Sequence, residues 1–155
     1  MFNRLEIHAG TKSMLRCKQC KSILFAQDQI TEFMSYDPND FGKLQGYAHH
    51  KKYEEEADFF LLTPTYETYS SFKIDYGKSL RLEYHPFFMM HMLLIECAKC
   101  GNNLGYQVET VNENTIWMDG RTLIDASKCS IMKDGKDEMS KIIKVCRSRL
   151  AKKLK

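Results

Sequence analysis

Cys17-Lys18-Gln19-Cys20 and Cys97-Ala98-Lys99-Cys100 are two copies of one motif, a pair of cysteines three positions apart. Such a pair on a tight turn presents both thiolates to the same side, at a spacing that suits a tetrahedral ion. Zinc prefers thiolate ligands of this kind, and its bonds to them offset the entropy lost in closing the long segment between the motifs. The spacing therefore predicts one structural zinc ion, held by Cys17, Cys20, Cys97 and Cys100.

The composition is that of one ordinary folded domain. The chain has 155 residues, of which 43% are hydrophobic and 12% aromatic, enough for one core but too few for two full-sized domains. It contains no apolar run of membrane-spanning length, so we expect no membrane segment. Residues 1–12 lack the features of a signal peptide, and we therefore expect a nuclear or cytoplasmic protein. Thiols stay reduced there, so the six cysteines are expected to be metal ligands and free thiols.

Short apolar runs separated by turn residues predict a mainly β body. Short strands are expected on both sides of the first motif, and turns are expected at residues 76–78 and 119–120. Residues 35–56 are polar and contain proline and glycine, which predicts an inserted surface loop. Its acidic residues 54–56 are either a solvated face or a docking strip for a basic partner. Further strands are predicted at residues 59–62, 71–74, 80–84, 87–95, 104–109, 116–118 and 122–124.

The C-terminal segment has a different pattern, which predicts an amphipathic helix. From Asp137 onward, apolar residues recur at spacings of three and four, at Met139, Ile142, Ile143, Cys146, Leu150 and Leu154. Residues 141–155 carry seven basic and no acidic side chains, and removing these seven from the net charge of +3 leaves −4 on the first 140 residues. We therefore divide the chain into a zinc-binding β domain at residues 1–135 and a basic helix at residues 136–155.

The basic helix has two interpretations, and both stay open. In one, its apolar stripe packs on the body of the protein or on a partner helix. In the other, its basic face binds nucleic acid or another acidic polymer. The candidate partner-binding residues are Lys141, Lys144, Arg147, Arg149, Lys152 and Lys153.

The remaining reactive residues each have a simpler structural explanation. Cys146 lies on the apolar stripe and Cys129 has no activating base nearby in sequence, so both are expected to be buried thiols. His49 and His50 are expected to be a surface pair rather than metal ligands. A redox role for the two cysteine motifs is disfavoured because no βαβ pattern surrounds either of them.

Three stretches of the sequence resemble a known family. Residues 17–30 read CKQCKSILFAQDQI, residues 97–109 read CAKCGNNLGYQVE, and residues 116–135 read IWMDGRTLIDASKCSIMKDG. They are similar to the Yippee family and to its relatives with the β-tent fold, which include the Mis18 kinetochore proteins and the ligand-binding domain of cereblon. The combination of LGY after the second motif with the DGR turn is more specific than the cysteine spacing alone.

This resemblance implies a β-tent, in which two antiparallel sheets are pinned by one zinc ion on the four matching cysteines. The interval between the motifs is longer than in the family, which implies that residues 35–56 are an insertion. The C-terminal helix is an addition. Trp117 is the only tryptophan, and Tyr106 stands where cereblon-like domains have tryptophan, so a cereblon-type ligand cage is not expected. Cys129 does not match the catalytic cysteine of the methionine sulfoxide reductases, another zinc-pinned β fold.

A second resemblance is to the C-terminal domains of RIG-I-like receptors, since CAKCGNNLG is close to their second cysteine motif. Those domains capture RNA ends in a basic cleft. The candidate cleft residues here are Lys43, Lys51, Lys52, Lys73, Lys78 and Arg81. The net negative charge of the first 140 residues opposes such a cleft.

Taken together, the sequence predicts a non-enzymatic, zinc-stapled interaction module that serves as a subunit or adaptor in a larger protein assembly. The alternative is a domain that binds RNA ends or duplex RNA. No enzyme is expected, because the sequence has no paired carboxylates in apolar surroundings, no phosphate-binding glycine loop and no triad-like group. Self-association stays open, because residues 87–94 are apolar on both faces of a predicted strand.

Overall fold

The computed structural model describes residues 3–7, 13–36, 45–46, 51–52, 57–62, 70–84, 88–110 and 119–153. Within these ranges the chain forms short and long strands, with 3-10 helices at Gln27–Gln29 and Ala126–Lys128 and a C-terminal α-helix, α1, at Met139–Lys153. In chain order the strands are β1 (Asn3–Glu6), β2 (Met14–Cys17), β3 (Ile23–Ala26), β4 (Ile30–Tyr36), β5 (Gln45–Gly46), β6 (Lys51–Lys52), β7 (Ala57–Leu62), β8 (Phe72–Tyr84), β9 (Phe88–Cys97), β10 (Asn103–Thr110), β11 (Thr122–Asp125), β12 (Cys129–Lys133) and β13 (Lys136–Asp137).

These strands form two antiparallel sheets. In the large sheet the described strands run in the order β1-β4-β7-β11-β10-β9-β8-β5-β6, and in the small sheet the order is β13-β12-β2-β3. All the strand pairs described are antiparallel, with Cys129 opposite Cys17 in the small sheet and Ile124 opposite Phe60 in the large one. The predicted mainly β architecture of two antiparallel sheets with a C-terminal helix is confirmed.

The two sheets and the helix share one hydrophobic core. In the small sheet, Leu15 and Cys17 point to the core and are buried, whereas Met14 points to the opposite face and is 36% exposed, as the alternation of side chains along a strand requires. The inward residues of both sheets meet the buried side of α1. The larger members of this core are Leu15, Phe25, Phe33, Phe60, Leu62, Leu104, Ile124, Ile131, Met139 and Leu150.

The first backbone N–H of helix α1 bonds to a carboxylate, and the helix packs its apolar stripe on the body of the same chain. The Asp137 carboxylate accepts hydrogen bonds from the backbone N–H groups of Met139 (3.0 Å) and Ile131 (3.2 Å), so it joins the start of the helix to β12. Met139, Cys146 and Leu150 are buried. The predicted amphipathic helix is confirmed, and of its two interpretations, the structure shows the packing of the stripe on the body.

An ion pair between Arg147 of α1 and Asp58 of β7 connects the helix to the large sheet. Arg147 donates from Nε to Asp58 Oδ1 (3.1 Å) and from a terminal nitrogen to Oδ2 (2.5 Å), in the two-point geometry that arginine makes with carboxylates. The Asp58 side chain is only 11% exposed and that of Arg147 is 49% exposed. This basic residue therefore contributes to the docking of the helix on the body.

The predicted hairpin turn at residues 76–78 is wrong. Strand β8 continues through these residues, and both of its halves pair with β9. Asp75 pairs with Leu94, and the next pair along β9 joins Ser79 to Leu93. The three residues in between are therefore a bulge within one strand. A glycine in an apolar segment indicates either a turn or a bulge. Here it indicates a bulge, because the residues on both sides of it pair with the same strand, β9.

The sheet topology changes one further expectation and adds one strand. The polar residues 35–56 are not loop throughout, because β5 and β6 form a short hairpin that pairs with β8 at the edge of the large sheet. Strand β1, which the sequence did not predict, pairs with β4 at the opposite edge.

Within the described ranges, no helix is long and apolar enough to cross a membrane.

Part of the apolar run in β9 is buried on both faces of the strand within the single chain. Met92 and Leu93 are neighbours in a strand and point to opposite faces, yet they are 3% and 6% exposed. Burial of these two side chains therefore needs no second copy of the chain. The side chain of His91 lies outside the described part of the structure, as do His49, His50 and Trp117.

Candidate metal centre

The two cysteine motifs lie in different sheets. The first forms the turn between β2 and β3 of the small sheet, and the second forms the turn between β9 and β10 of the large sheet. Cys17 is the last residue of β2 and Cys97 is the last residue of β9. The site therefore lies where one end of the small sheet meets the large sheet.

The two turns repeat one backbone pattern. In the first, Cys17 N–H donates to Ser22 C=O (2.9 Å), and in the second, Cys97 N–H donates to Asn102 C=O (2.8 Å). A second hydrogen bond closes each turn. The carbonyl of the first cysteine accepts it from the N–H of Lys21 in the first turn (2.8 Å) and from the N–H of Gly101 in the second (2.9 Å).

The residue after the second cysteine of each turn has a positive φ, +65° for Lys21 and +75° for Gly101. Glycine adopts this conformation at no steric cost, whereas lysine adopts it at some cost. In the first turn an additional bond, from the Arg16 guanidinium to the Lys21 carbonyl (3.0 Å), stabilises the same region.

The four sulfur atoms form a compact cluster. The Cys17 and Cys100 Sγ atoms are 3.6 Å apart, as are those of Cys20 and Cys97, and all four lie within 4.8 Å of one another. Four sulfur atoms placed about 2.3 Å from one ion at tetrahedral angles are about 3.8 Å apart. The cluster therefore fits a metal ion with only small adjustments of the side chains. Among the described residues, this is the group of cysteine, histidine and acidic side chains that could hold a metal ion.

The inner and outer cysteines differ in exposure. Cys17 and Cys97 are buried, at 0% and 2% exposed, whereas Cys20 and Cys100 are partly exposed. Four thiolates so close together repel one another strongly unless a cation neutralises them. The cluster is suited to a divalent ion for this reason.

The pKa values of the thiols differ because each sulfur has different hydrogen-bond partners and a different degree of burial. Hydrogen bonds from the side chain and then the backbone N–H of Ser22 lower the pKa of Cys20 to about 6. Burial opposes ionisation of Cys97, but hydrogen bonds from Ser22 and from the backbone N–H groups of Cys100 and Lys99 outweigh it and lower its pKa. At Cys100 the backbone N–H of Asn102 favours the thiolate, but burial and the other thiols together raise the pKa to about 12.

Two side chains beside the cluster were missed by sequence reasoning. Ser22 Oγ lies 3.0 Å from Cys20 Sγ and 3.5 Å from Cys97 Sγ, and Asn102 Nδ2 donates to Cys17 Sγ (3.9 Å). A signal for them was present, because each is the sixth residue counted from the first cysteine of its motif.

The other cysteines lie outside the metal cluster. Cys129 is 1% exposed and Cys146 is 7% exposed, as predicted for buried thiols. Burial raises the pKa of Cys129 well above its ordinary value, and the charges of Asp125, Cys17 and Cys97 act in the same direction. Burial also raises the pKa of Cys146 to about 11, with Arg149 opposing this shift.

The predicted partner-binding residues all lie on α1, and all are exposed. Two of them have acidic neighbours in this chain: Arg147 pairs with Asp58, and Lys141 Nζ lies 3.2 Å from Glu138 Oε2. Of the predicted RNA-cleft residues, Lys73 is exposed on β8, and the side chains of the other five lie outside the described part of the structure.

Comparison of the chain with models of known protein families found no match. Comparison with curated proteins found no significant match either. The fold and the site thus define a class, a mainly β protein with a four-cysteine centre between two antiparallel sheets. Membership of the Yippee family stays a prediction.

Proposed function

We propose that the protein is a non-enzymatic interaction module stapled by one zinc ion, and that it serves as a subunit or adaptor in a protein assembly of the nucleus or cytoplasm. One observation carries this proposal. The four cysteines of the cluster are divided equally between two sheets, so an ion bound to them joins those sheets directly. A reducing compartment keeps such thiols available for a metal.

The donor set supports zinc in a structural role. Four sulfur ligands favour zinc over magnesium, calcium or manganese, which prefer oxygen. Structural zinc sites are closed by four protein ligands, whereas a catalytic zinc keeps a position open for water or substrate. With Cys17, Cys20, Cys97 and Cys100 all bound, zinc would have its full complement of ligands, and its contribution would be to stability.

The exposed apolar side chains of the small sheet support a role in protein binding. Met14, Ile23 and Met132 are 36%, 47% and 45% exposed. Met14 and Met132 lie on neighbouring strands, on the face away from the core, because Leu15 and Ile131 are paired and buried. Exposed apolar side chains grouped on one face are typical of a surface that another protein covers.

Measurement of metal content tests the zinc staple. We expect one zinc ion per chain in the purified wild-type protein, and none in Cys97→Ser. Chelation should lower the melting temperature by roughly 10 °C, because tight ligand binding stabilises the native state by several kcal/mol. Cys146→Ala is the matched control, since it removes a buried thiol outside the cluster and should keep its zinc. Equal zinc content in Cys97→Ser and Cys146→Ala would overturn the staple.

Affinity purification tests the interaction module. The protein with Met14→Asp, Ile23→Asp and Met132→Asp should lose partner proteins that the wild type retains. Val145→Asp is the control, because Val145 is similarly exposed, at 48%, but lies on α1. Identical partner sets for the wild type and the small-sheet variant would exclude this face as the binding surface.

The exposed basic face of α1 favours a second candidate function, the binding of duplex RNA or RNA ends. The apolar stripe is used within the chain, which leaves Lys144, Arg149 and Lys152 exposed on the helix. Fluorescence titration with a 5′-triphosphate duplex RNA at two salt concentrations tests this candidate. Binding that weakens steeply with salt, and that Lys144→Glu with Lys152→Glu abolishes, would support it. Absence of binding at low salt would remove it.

A further inference from the structure

We infer that Ser22 and Asn102 are a reciprocal pair of positioning residues for the metal centre. Each comes from one cysteine turn, and its side chain lies within hydrogen-bond range of the sulfur of the first cysteine of the other turn. This inference rests on the proposed zinc staple and extends it from the four sulfur ligands to the groups that hold those sulfurs in place.

The reciprocity follows from the repeated backbone of the two turns. Ser22 and Asn102 occupy the same position in their turns, and the carbonyl of each accepts the N–H of the first cysteine of its own turn. Their side chains cross to the other turn. Ser22 Oγ is 3.5 Å from Cys97 Sγ, and Asn102 Nδ2 is 3.9 Å from Cys17 Sγ, within the longer range of bonds to sulfur.

The sulfurs that receive these cross-turn contacts belong to the buried cysteines. Cys17 and Cys97 are almost inaccessible to water, so they depend on protein groups for hydrogen bonds. A zinc ion with four thiolates carries two net negative charges, and donors beside the sulfurs distribute that charge. Such groups beside metal ligands typically change metal affinity by about 10- to 100-fold.

The two donors are chemically different. Ser22 has one hydroxyl proton for two sulfurs, those of Cys20 at 3.0 Å and Cys97 at 3.5 Å, so it bonds to one of them at a time. The Asn102 amide has two N–H groups and one sulfur contact in this structure. Loss of Ser22 therefore affects both turns, and it should weaken metal binding more than loss of Asn102.

Zinc affinity measured by competition with a chromophoric chelator tests the inference. Ser22→Ala and Asn102→Ala should each bind zinc about 10-fold or more weakly than wild type. Asn102→Ser retains a donor and should recover part of the loss. Gln19→Ala is the matched control, because Gln19 lies in the same turn and is exposed.

The absorption spectrum of the Co²⁺-substituted protein separates a role at the metal from a general loss of stability. Removing hydrogen bonds makes thiolates easier to oxidise, so the sulfur-to-cobalt charge-transfer bands of Ser22→Ala and Asn102→Ala should move to lower energy. A merely structural role would leave the bands unchanged.

The inference is overturned if Ser22→Ala and Asn102→Ala match Gln19→Ala in both zinc affinity and cobalt spectrum. In that case one zinc ion per wild-type chain would leave the proposed staple intact. A wild-type protein that binds neither zinc nor cobalt would overturn the staple and this inference together.

Discussion

Cys129 lies directly opposite Cys17 on the neighbouring strand of the small sheet, and the two residues are almost equally buried. Only Cys17 belongs to the cluster of four sulfurs that could hold a metal. The six cysteines therefore fall into two classes with different surroundings. Four can share one cation, and the thiols of Cys129 and Cys146 are shielded by the protein core.

The two classes should react differently with an alkylating reagent. In the folded protein treated with a metal chelator, we expect iodoacetamide to modify the partly exposed Cys20 before Cys129 and Cys146. The reason is that alkylation needs an accessible thiolate, and burial raises the pKa values of the latter two thiols. Peptide mass spectrometry measures the order. Early modification of Cys129 would contradict the buried environment described above.

Stability should depend on the ionisation of Cys146 in alkaline solution. Its folded-state pKa is raised from 9.0 to about 11, so the unfolded chain loses this proton first as the pH rises. The thiol therefore contributes stability that is fully present below pH 9 and is lost between pH 9 and about 11.

Urea unfolding of wild type and Cys146→Ala over this pH range isolates that contribution. The difference in unfolding free energy between the two proteins should become smaller as the pH rises, because only the wild type loses stability through this group. A difference that stays constant up to pH 11 would show that the pKa of Cys146 is not raised.

The ion pair between Arg147 and Asp58 should stabilise the docked helix. Arg147→Ala is expected to cost about 1 kcal/mol, at the upper end for a partly exposed pair, because the bidentate geometry is favourable and Asp58 is left nearly buried. A double-mutant cycle with Asp58→Asn measures the coupling by urea unfolding. Lys144→Ala, an exposed substitution on the same helix, should have a negligible effect. A coupling energy near zero would show that the pair does not hold the helix.

Gly105 should tolerate no side chain. Its φ is +155°, and a Cβ atom built on it would lie 1.9 Å from the Leu123 carbonyl oxygen of the neighbouring strand, so something must shift. We expect Gly105→Ala to cost more than 2 kcal/mol, since the clash adds to backbone strain of about 1–3 kcal/mol.

Gly101→Ala is the matched control for Gly105→Ala. Gly101 also has a positive φ, +75°, but a Cβ atom there meets nothing within 4 Å. It should therefore cost only the conformational penalty of about 1–2 kcal/mol. Thermal unfolding compares the two, and equal losses would show that the close contact at Gly105 can relax.

The strands and the helix could largely be predicted from local patterns. Short apolar runs gave β7 and β10, and the spacing of apolar residues gave α1 with Met139, Cys146 and Leu150 on its buried side. Prediction failed where the structure of a segment depends on the strand with which it pairs. Residues 76–78 resemble a hairpin turn, but they are a bulge because both halves of β8 pair with one strand. Strand β1 is four residues long and too short for a clear periodic signal.

In the metal centre, too, local sequence patterns predicted some features and the packing of distant segments determined the others. The types and spacing of Cys17, Cys20, Cys97 and Cys100 were sufficient to predict the cluster, because two cysteines on a tight turn must face the same side. The contribution of Ser22 and Asn102 depends on how the second turn approaches the first. Contacts between residues 75 or more positions apart, as for Ser22 and Cys97, are set by sheet packing, so the equal position of Ser22 and Asn102 in the two motifs did not reveal which sulfur each side chain reaches.

The sequence by itself thus determined the four cysteines of the cluster, the mainly β character and the amphipathic helix, because each depends on residue types at fixed local spacing. The tertiary structure alone decided that one motif belongs to each sheet, that α1 packs its stripe on the same chain, and that Arg147 pairs with Asp58. These features depend on the energy of burying distant segments against one another, and that energy is distributed over the whole core.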